Sequence, residues 1–349
     1  MSKNTKVEKI LIFRNGTIGD TAIAIPSLKL IAQSFPNSNK RVLTICGDTN
    51  QPVMDSLLSG SKLIDGYICY KREGSKKTSL LEMRRKIKEW NPDILIYLVE
   101  TQNLYTVIRD KFFFKSCGVK RMIGFPLKYN FFKKKYIYKR GLYEFESESL
   151  IRRISKIGTL DLNNLESWNI GLSIEKELLS GAIKSKNFFI CSIGTKVAMK
   201  DWGIHKWKET VMALYKKIPD YEIIFIGSKY DKEFSEIVRG AWSGSSQNLC
   251  GKLTVRESAA IMSGSRFFLG IDSGPMHLAA MQDIPCVAIF TARALPGVWF
   301  PYGEKHKVVY HQTSCFGCEL EECIEYDRKC IQSIGVNEVI GLINEILLD

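Results

Sequence analysis

The chain has 349 residues, 45% hydrophobic and 25% charged, with a formal net charge of +13 at pH 7. This composition excludes a disordered or low-complexity chain, and no apolar run approaches the roughly 20 residues that span a bilayer. The length predicts about two domains that need no disulfides, and without a signal-peptide core at the N-terminus we expect a cytoplasmic protein with mostly reduced thiols.

Strand-like and helix-like stretches alternate through the first half of the chain. In chain order we predict a strand at 9–13, a helix at 23–35, a strand at 41–46, a helix at 80–90, a strand at 93–99, a helix at 104–114 and a strand at 121–125. Nearly continuous apolar strands separated by amphipathic helices predict a parallel sheet covered on both faces.

The same alternation starts again in the second half. We predict strands at 187–194, 221–227, 266–272 and 285–290, and helices at 205–218, 231–239, 254–262, 275–281 and 336–348. A polar, poorly periodic stretch at 163–186 separates the halves, so we predict an N-terminal domain at 1–175 and a C-terminal domain at 180–349. Two Rossmann-like halves predict a ligand site in a cleft between them.

The positive charge lies in the first half. Residues 1–160 carry 30 Lys and Arg against 14 Asp and Glu, a net +16, whereas the remaining residues carry 20 against 23, a net −3. This asymmetry predicts a polyanionic partner, which could be nucleic acid, an anionic membrane surface or a phosphorylated substrate. Lysines interleaved with aromatic residues at 111–115 and 128–140 suit a membrane interface or nucleic acid, but no nucleic-acid-binding module is recognisable.

The first motif is a glycine-containing turn between a strand and a helix. It runs from Arg14 through Gly16, Thr17 and Gly19 to Asp20. The spacing differs from the dinucleotide fingerprint and puts a carboxylate at the anion-binding end of the helix. On sequence alone Asp20 is either a helix-capping residue or a general base.

Two further turns of the second half could bind a phosphate. In the first of them, free N–H groups of Ser273, Gly274 and Met276 could cradle the anion, and Asp272 could bind sugar hydroxyls. His277, in the same motif, is most simply a buried, hydrogen-bonded histidine. The other turn offers the side chains of Thr195, Lys196 and Lys200.

Four of the ten cysteines fall within the C-terminal segment 315–330, namely Cys315, Cys318, Cys323 and Cys330. The wide spacing of the second pair is unusual for structural zinc. A zinc site, reduced structural thiols and one or two disulfides therefore all stay open.

Taken together, these motifs resemble glycosyltransferase family 9, the heptosyltransferase-type enzymes of lipopolysaccharide core assembly. The most specific part of the resemblance is the motif from Asp272 to Ala280. The other parts are residues 10–20 with Pro26, 200–202, 251–257 and 299–303.

The resemblance implies a GT-B fold, in which two Rossmann-like domains face each other across a cleft. The first domain would bind the acceptor and the second the nucleotide-sugar donor, most simply ADP-heptose. Transfer would be inverting and metal-independent, with Asp20 as the general base.

The resemblance also implies roles for the donor-binding residues. Lys200, Thr195 and the amides at 273–276 would meet the diphosphate, and Asp272 would hold the donor sugar. The backbone of Leu253 would read the adenine ring, and His277 is grouped with these residues because it belongs to the same motif. In this family an acidic residue contacts the ribose, and no residue after Gly227 clearly matches it. The identity of the nucleotide therefore stays open.

The expected partners are therefore a nucleotide-sugar donor, an anionic lipopolysaccharide-type acceptor and the cytoplasmic face of the inner membrane, without nucleic acid. Two alternatives stay open. One is a transferase of the same fold that uses another nucleotide sugar for a different surface glycan. The other is a basic protein on a degenerate fold that binds nucleic acid or membranes.

Overall fold

The computed structural model describes residues 7–46, 51–71, 76–100, 103–126, 134–179, 181, 183, 185–323 and 326–348. The chain divides into two compact units. Unit 1 comprises Met1–Ile137 and Glu146–Ile170, and unit 2 comprises Tyr138–Phe145 and Gly171–Asp349. The segment Tyr138–Phe145 thus belongs to unit 2, although the chain on both sides of it belongs to unit 1. Part of the basic stretch at 128–140 lies outside the described residues.

Unit 1 contains a parallel sheet of five strands in the order β3-β2-β1-β4-β5. The strands are β1 (Lys9–Phe13), β2 (Asn39–Ile45), β3 (Gly66–Tyr70), β4 (Ile94–Tyr97) and β5 (Arg121–Ile123), and the short β6 (Tyr136–Ile137) follows. The helices are α1 (Ile18–Ser34), α2 (Asp55–Leu58), α3 (Lys76–Trp90), α4 (Leu104–Ser116) and α5 (Glu146–Ile154).

The core of unit 1 forms where these helices cover the sheet. Leu11 of β1 and Leu95 of β4 share one apolar cluster with Ile87 of α3 and Phe114 of α4. Helices α3 and α4 therefore lie on the same face of the sheet, and α1 packs against α5. Strands buried on both faces explain the continuous apolar runs of the sequence.

Unit 2 contains a parallel sheet of six strands in the order β10-β9-β8-β11-β12-β13. Its strands are β8 (Phe188–Ser192), β9 (Glu222–Phe225), β10 (Ser246–Asn248), β11 (Phe268–Ile271), β12 (Cys286–Phe290) and β13 (Lys307–Tyr310), and the short β7 (Leu142–Tyr143) precedes them. The helices are α6 (Ser173–Leu178), α7 (Ile204–Tyr215), α8 (Lys232–Arg239), α9 (Val255–Met262), α10 (Gly274–Met281), α11 (Lys329–Gln332) and α12 (Val336–Leu348).

Two tryptophans anchor the start of α7 in the core of unit 2. The rings of Trp202 and Trp207 are fully buried and meet edge to face, with 5.0 Å between their centroids. Trp202 Nε1 also donates to the carbonyl oxygen of Ile334, just before α12, at 3.1 Å. These contacts fix the turn that carries Lys200.

Both sheets have the strand order of a Rossmann fold, so the predicted α/β class with two Rossmann-like halves is confirmed. The order reverses between β1 and β4 in unit 1 and between β8 and β11 in unit 2, and ligands of such sheets bind beyond the strand ends at these switch points. Within the described ranges, no helix combines the length and apolar character needed to cross a bilayer.

The sequence predicts mostly reduced thiols, and the structure contains one disulfide. A disulfide joins Cys46, directly after β2, to Cys69 in β3, whereas the other eight cysteines are unpaired. β2 and β3 are hydrogen-bonded neighbours. The Cα atoms of Cys46 and Cys69 therefore lie 5.4 Å apart, within the range that a disulfide bridges.

Candidate functional site

The turn after β1 holds Asp20 in the first turn of α1. The backbone N–H and the hydroxyl of Thr17 donate to Asp20 Oδ2 at 2.7 and 2.8 Å. These bonds make Asp20 a capping residue and fix the orientation of its carboxylate. Because 22% of the side chain is still exposed, a ligand can reach the carboxylate despite these bonds.

Gly16 makes room for this carboxylate. Its φ is +145°, and a Cβ atom at this position would lie 2.6 Å from Asp20 Cγ and 2.8 Å from Oδ2. Only glycine combines this backbone conformation with this close approach. Gly19, the other glycine of the motif, is buried in α1.

Arg14 ties Asp20 to the switch point of the sheet. Its guanidinium is buried and donates from Nη1 to the carbonyl oxygen of Leu98, just after β4, at 2.7 Å. Nη2 donates to the backbone oxygen of Asp20 at 2.8 Å and lies 3.6 Å from Asp20 Oδ1. Burial lowers the pKa of Arg14, and the negative charges of Asp20 and Glu100 oppose that shift.

Two buried charged residues behind this loop were missed by the sequence analysis. Glu146 is 1% exposed and lies 4.0 Å from Arg14 Nη1, and it forms a second ion pair with Lys134. Arg153 donates to the carbonyl oxygens of Tyr97, Val99 and Gly124 at 2.8 to 3.0 Å, and burial lowers its pKa to about 10. Neither residue belongs to a motif, so the sequence carries no signal for them.

In unit 2 the structure brings together two predicted motifs that are distant in sequence. Lys200 Nζ lies 2.7 Å from Asp272 Oδ2 and donates to the Asp272 carbonyl oxygen at 3.1 Å. Asp272 directly follows β11 and is only 7% exposed. This ion pair lies at the switch point between β8 and β11.

The turn from β11 into α10 matches the predicted phosphate cradle in part. Ser273 is the extended N-cap residue, and α10 begins at Gly274. The Ser273 hydroxyl is buried and has no hydrogen-bond partner among the described residues. The Met276 N–H, predicted to be free, instead donates to the Ser273 carbonyl oxygen at 3.2 Å. His277 is buried, as the sequence analysis expected.

In the turn after β8, the Thr195 hydroxyl forms its hydrogen bonds within the turn itself. The Thr195 hydroxyl donates to the Val197 carbonyl oxygen at 3.1 Å and accepts from the Val197 N–H at 3.0 Å, so it is occupied locally. Lys196 is exposed. Leu253 is half-buried, and Gly251, two residues before it, donates to the carbonyl oxygen of Gly227 at 3.0 Å. Leu253 is thereby tethered close to the end of β9.

Asp231 follows Gly227, where the sequence gives no clear match to the family's acidic ribose contact, and its carboxylate contacts two strand ends. A Cβ atom on Gly194 or on Gly227 would meet that carboxylate at less than 3 Å. Asp231 Oδ2 accepts from the backbone N–H and the hydroxyl of Ser228, both at 2.7 Å. The sequence from Gly227 to Asp231 repeats the spacing of glycine, hydroxyl residue and aspartate seen from Gly16 to Asp20.

The described residues of the cysteine-rich segment form no metal site. Among the residues that the structure describes, no three His, Cys, Asp or Glu side chains form a group that could hold a metal ion. Burial raises the pKa of the Tyr310 phenol to about 12, with smaller contributions in the same direction from the nearby Cys315, Cys318 and Cys330. The structure thus gives no support to the zinc alternative for Cys315, Cys318, Cys323 and Cys330.

The sequence profile of glycosyltransferase family 9 (heptosyltransferase) matches residues 155–328. The chain belongs to this family. All predicted donor-binding residues of unit 2 lie inside the matched range, whereas the Asp20 motif precedes it.

Individual relatives are similar over shorter stretches or in fold only. A lipopolysaccharide heptosyltransferase 3 of Escherichia coli is 28% identical over 111 residues, which is 31% of this chain and 32% of that protein. The chain thus matches about a third of the length of its curated relatives.

Solved structures of the family align over nearly the whole chain. A family 9 glycosyltransferase from Veillonella parvula is 19% identical, with a TM-score of 0.71 over 97% of both chains. The ADP-heptose lipopolysaccharide heptosyltransferase II of E. coli is 16% identical, with a TM-score of 0.65 over 97% of this chain and 98% of that one. At these identities the likeness establishes the fold.

Proposed function

We propose that this chain transfers heptose from ADP-heptose to a hydroxyl group of an anionic, lipopolysaccharide core-type acceptor. The observation that carries the proposal is the ion pair of Lys200 with Asp272, which joins two motifs 72 residues apart at the switch point of unit 2. Support for the donor and acceptor comes from relatives named as lipopolysaccharide heptosyltransferases and from a fold neighbour named for ADP-heptose.

The donor would bind at the carboxyl ends of β8 and β11. Lys200 would meet the diphosphate together with the Ser273 hydroxyl and the Gly274 N–H at the start of α10, where the helix dipole favours an anion. Asp272 would accept hydrogen bonds from the sugar hydroxyls. The backbone of Leu253 would contact the adenine, and the remaining predicted donor contacts are Thr195, Lys196, Met276 and His277.

The acceptor would bind unit 1 near Arg14, Gly16, Thr17 and Gly19, with Asp20 as the base. The acceptor oxygen attacks the anomeric carbon from the side opposite the diphosphate, so the configuration inverts. Asp20 takes the hydroxyl proton, and the bond to the diphosphate breaks with its electron pair going to ADP. Lys200 and the α10 N-terminus supply the positive charge that stabilises the leaving group, so the proposed reaction uses no metal.

The charge of the first half supports an acceptor rich in phosphate. Its net +16 attracts an anionic headgroup, whereas the remaining residues, with a net −3, lack this excess. We place the enzyme at the cytoplasmic face of the inner membrane, where such an acceptor would be presented.

A transfer assay tests the proposal directly. The purified chain is incubated with ADP-heptose and a deacylated lipopolysaccharide core acceptor, and the product is analysed by mass spectrometry. We expect one heptose to be added, with stoichiometric release of ADP. Transfer from UDP-sugars but not from ADP-heptose would overturn the donor assignment, and no transfer from any nucleotide sugar would overturn the function.

A further inference from the structure

Helix α4 exposes an apolar stripe on the side away from the core. Leu104, Tyr105, Ile108 and Phe112 are exposed by 46%, 76%, 40% and 68%, respectively. These four residues, here called the α4 face, share one side of the helix because residues three, four and eight apart fall on the same side. The helix therefore buries apolar residues such as Phe114 on one side and presents others to solvent on the other.

Cations border the α4 face. Arg109, Lys111 and Lys115 are all exposed, and on a helical wheel they lie beside or between the apolar residues. The one acid of the helix, Asp110, accepts from the Tyr97 hydroxyl at 2.8 Å and pairs with Arg109 at 2.7 Å. The surface that surrounds the stripe is therefore positively charged.

The N-terminal end of α4 lies at the same edge of the unit 1 sheet as the candidate acceptor site. Helix α4 begins just after β4, and Arg14 binds the carbonyl oxygen of Leu98 at that end of β4. The carboxyl ends of parallel strands share one edge of the sheet, so the N-terminus of α4 is at the same edge as Asp20. Asn103 caps this helix end by accepting from the Thr106 N–H at 2.8 Å, which fixes its first turn.

We propose that the α4 face docks on an anionic lipid bilayer, with its apolar side chains in the headgroup–acyl boundary and its cations on lipid phosphates. Aromatic and aliphatic side chains bordered by Lys and Arg suit this interface. A second copy of the chain fits less well, because one stripe on a 13-residue helix offers less than the roughly 800 Å² per partner of a stable protein interface. The inference deepens the proposed function by naming the surface that brings a lipid-linked acceptor to the sheet edge of Asp20.

Vesicle co-sedimentation of the full chain tests this surface. We expect binding to mixed phosphatidylcholine–phosphatidylglycerol vesicles and at least tenfold weaker binding of the double variant Tyr105→Ser/Phe112→Ser. The matched control Ile174→Ser/Leu178→Ser removes two side chains of unit 2 that are exposed by 70% and 74%, and it is expected to bind like the wild type. Equal binding of the Tyr105→Ser/Phe112→Ser variant and the wild type would overturn the proposal.

Two further readouts separate this inference from the proposed function. The Tyr105→Ser/Phe112→Ser variant is expected to keep wild-type ADP affinity and wild-type turnover of the deacylated acceptor, while losing turnover of acceptor embedded in vesicles. Loss of ADP affinity would show misfolding, and the milder Phe112→Ser variant then takes its place in the vesicle assay. A wild-type dimer that the variant converts to a monomer, with vesicle binding unchanged, would assign the face to a second copy and overturn the bilayer proposal.

Discussion

The side chain of Asp20 occupies the space that a side chain at Gly16 would need. We predict that Gly16→Ala lowers kcat about 100-fold, because displacing a reacting group by about an ångström costs this much. The substitution also strains the backbone, since φ at this position is +145°. Steady-state kinetics with the deacylated acceptor, together with ADP titration, would measure the effect.

Gly118→Ala is the matched control for this strain. Gly118 also has a positive φ, +93°, but a Cβ atom there would meet nothing within 4 Å. Gly118→Ala is expected to lose about 1–2 kcal/mol of unfolding free energy from its positive φ, and Gly16→Ala at least as much, while only Gly16→Ala loses turnover. Equal losses of kcat in the two variants would mean that strain, not the position of Asp20, limits activity.

Substitutions of Lys200 and Asp272 are predicted to separate nucleotide binding from sugar binding. Lys200→Ala is expected to weaken ADP binding at least tenfold, because a charge-assisted hydrogen bond contributes about 1.5–3 kcal/mol. Asp272→Asn is expected to leave ADP binding within about threefold of wild type, because the Asp272 carbonyl oxygen still accepts from Lys200. It is expected to raise KM for ADP-heptose about tenfold, since the carboxylate contact with the sugar is lost. Calorimetric titration and initial rates measure the two quantities. Lys208→Ala, an exposed residue of α7, is the control, and wild-type ADP affinity in Lys200→Ala would contradict the donor site.

At the scale of elements, the half-buried His306 joins the starts of β12 and β13. His306 Nδ1 accepts from the Cys286 N–H at 3.2 Å, and Nε2 donates to the Tyr302 carbonyl oxygen at 2.9 Å, so the ring is bound in its neutral form. Burial lowers the pKa of His306 from 6.5 to about 4, against the opposing effects of the hydrogen bond to Tyr302 and the charge of Asp283.

This contact predicts a loss of stability in mild acid. As the pH falls below 6.5, His306 takes up a proton in the unfolded chain but not in the folded one, so the free energy of unfolding decreases until about pH 4. Between pH 6.5 and 5 the expected decrease is about 2 kcal/mol. Urea unfolding at a series of pH values measures it. His306→Gln should flatten the dependence, whereas an unchanged slope in His306→Gln would refute this account.

The structure of the central strands could be predicted from the sequence, and that of most edge strands could not. β1, β4, β8 and β11 lie inside their sheets, and burial on both faces gives them apolar runs. The edge strands β3, β10 and β13 were missed. The half-exposed Ser246–Asn248 needs no apolar run, whereas β3 and β13 do contain apolar residues but only in short stretches. Likewise, the motif residues Asp20, Lys200 and Asp272 were identifiable, whereas Glu146 and Arg153 became visible only through their tertiary contacts.

At the scale of the whole molecule, the charge asymmetry predicts how salt affects each substrate. An acceptor rich in phosphate is drawn to the half with net +16, and this attraction is screened as the Debye length falls below about 10 Å. Raising NaCl from about 0.05 to 0.5 M is expected to lower kcat/KM for a phosphorylated acceptor about tenfold. A dephosphorylated acceptor should change less than twofold, and equal salt dependence for both acceptors would contradict recognition of acceptor phosphates by this half.

The central claim is that Asp20 removes the acceptor proton during sugar transfer, and Asp20→Asn tests it most directly. Asparagine can still accept the hydrogen bonds of Thr17 and cap α1, so the helix start should persist while the base is lost. We predict that kcat/KM for transfer from ADP-heptose falls by about 10²–10⁴-fold, with unchanged ADP affinity and melting temperature. Retention of more than about a tenth of the wild-type kcat/KM would contradict the account, because a lost general base costs at least about a hundredfold.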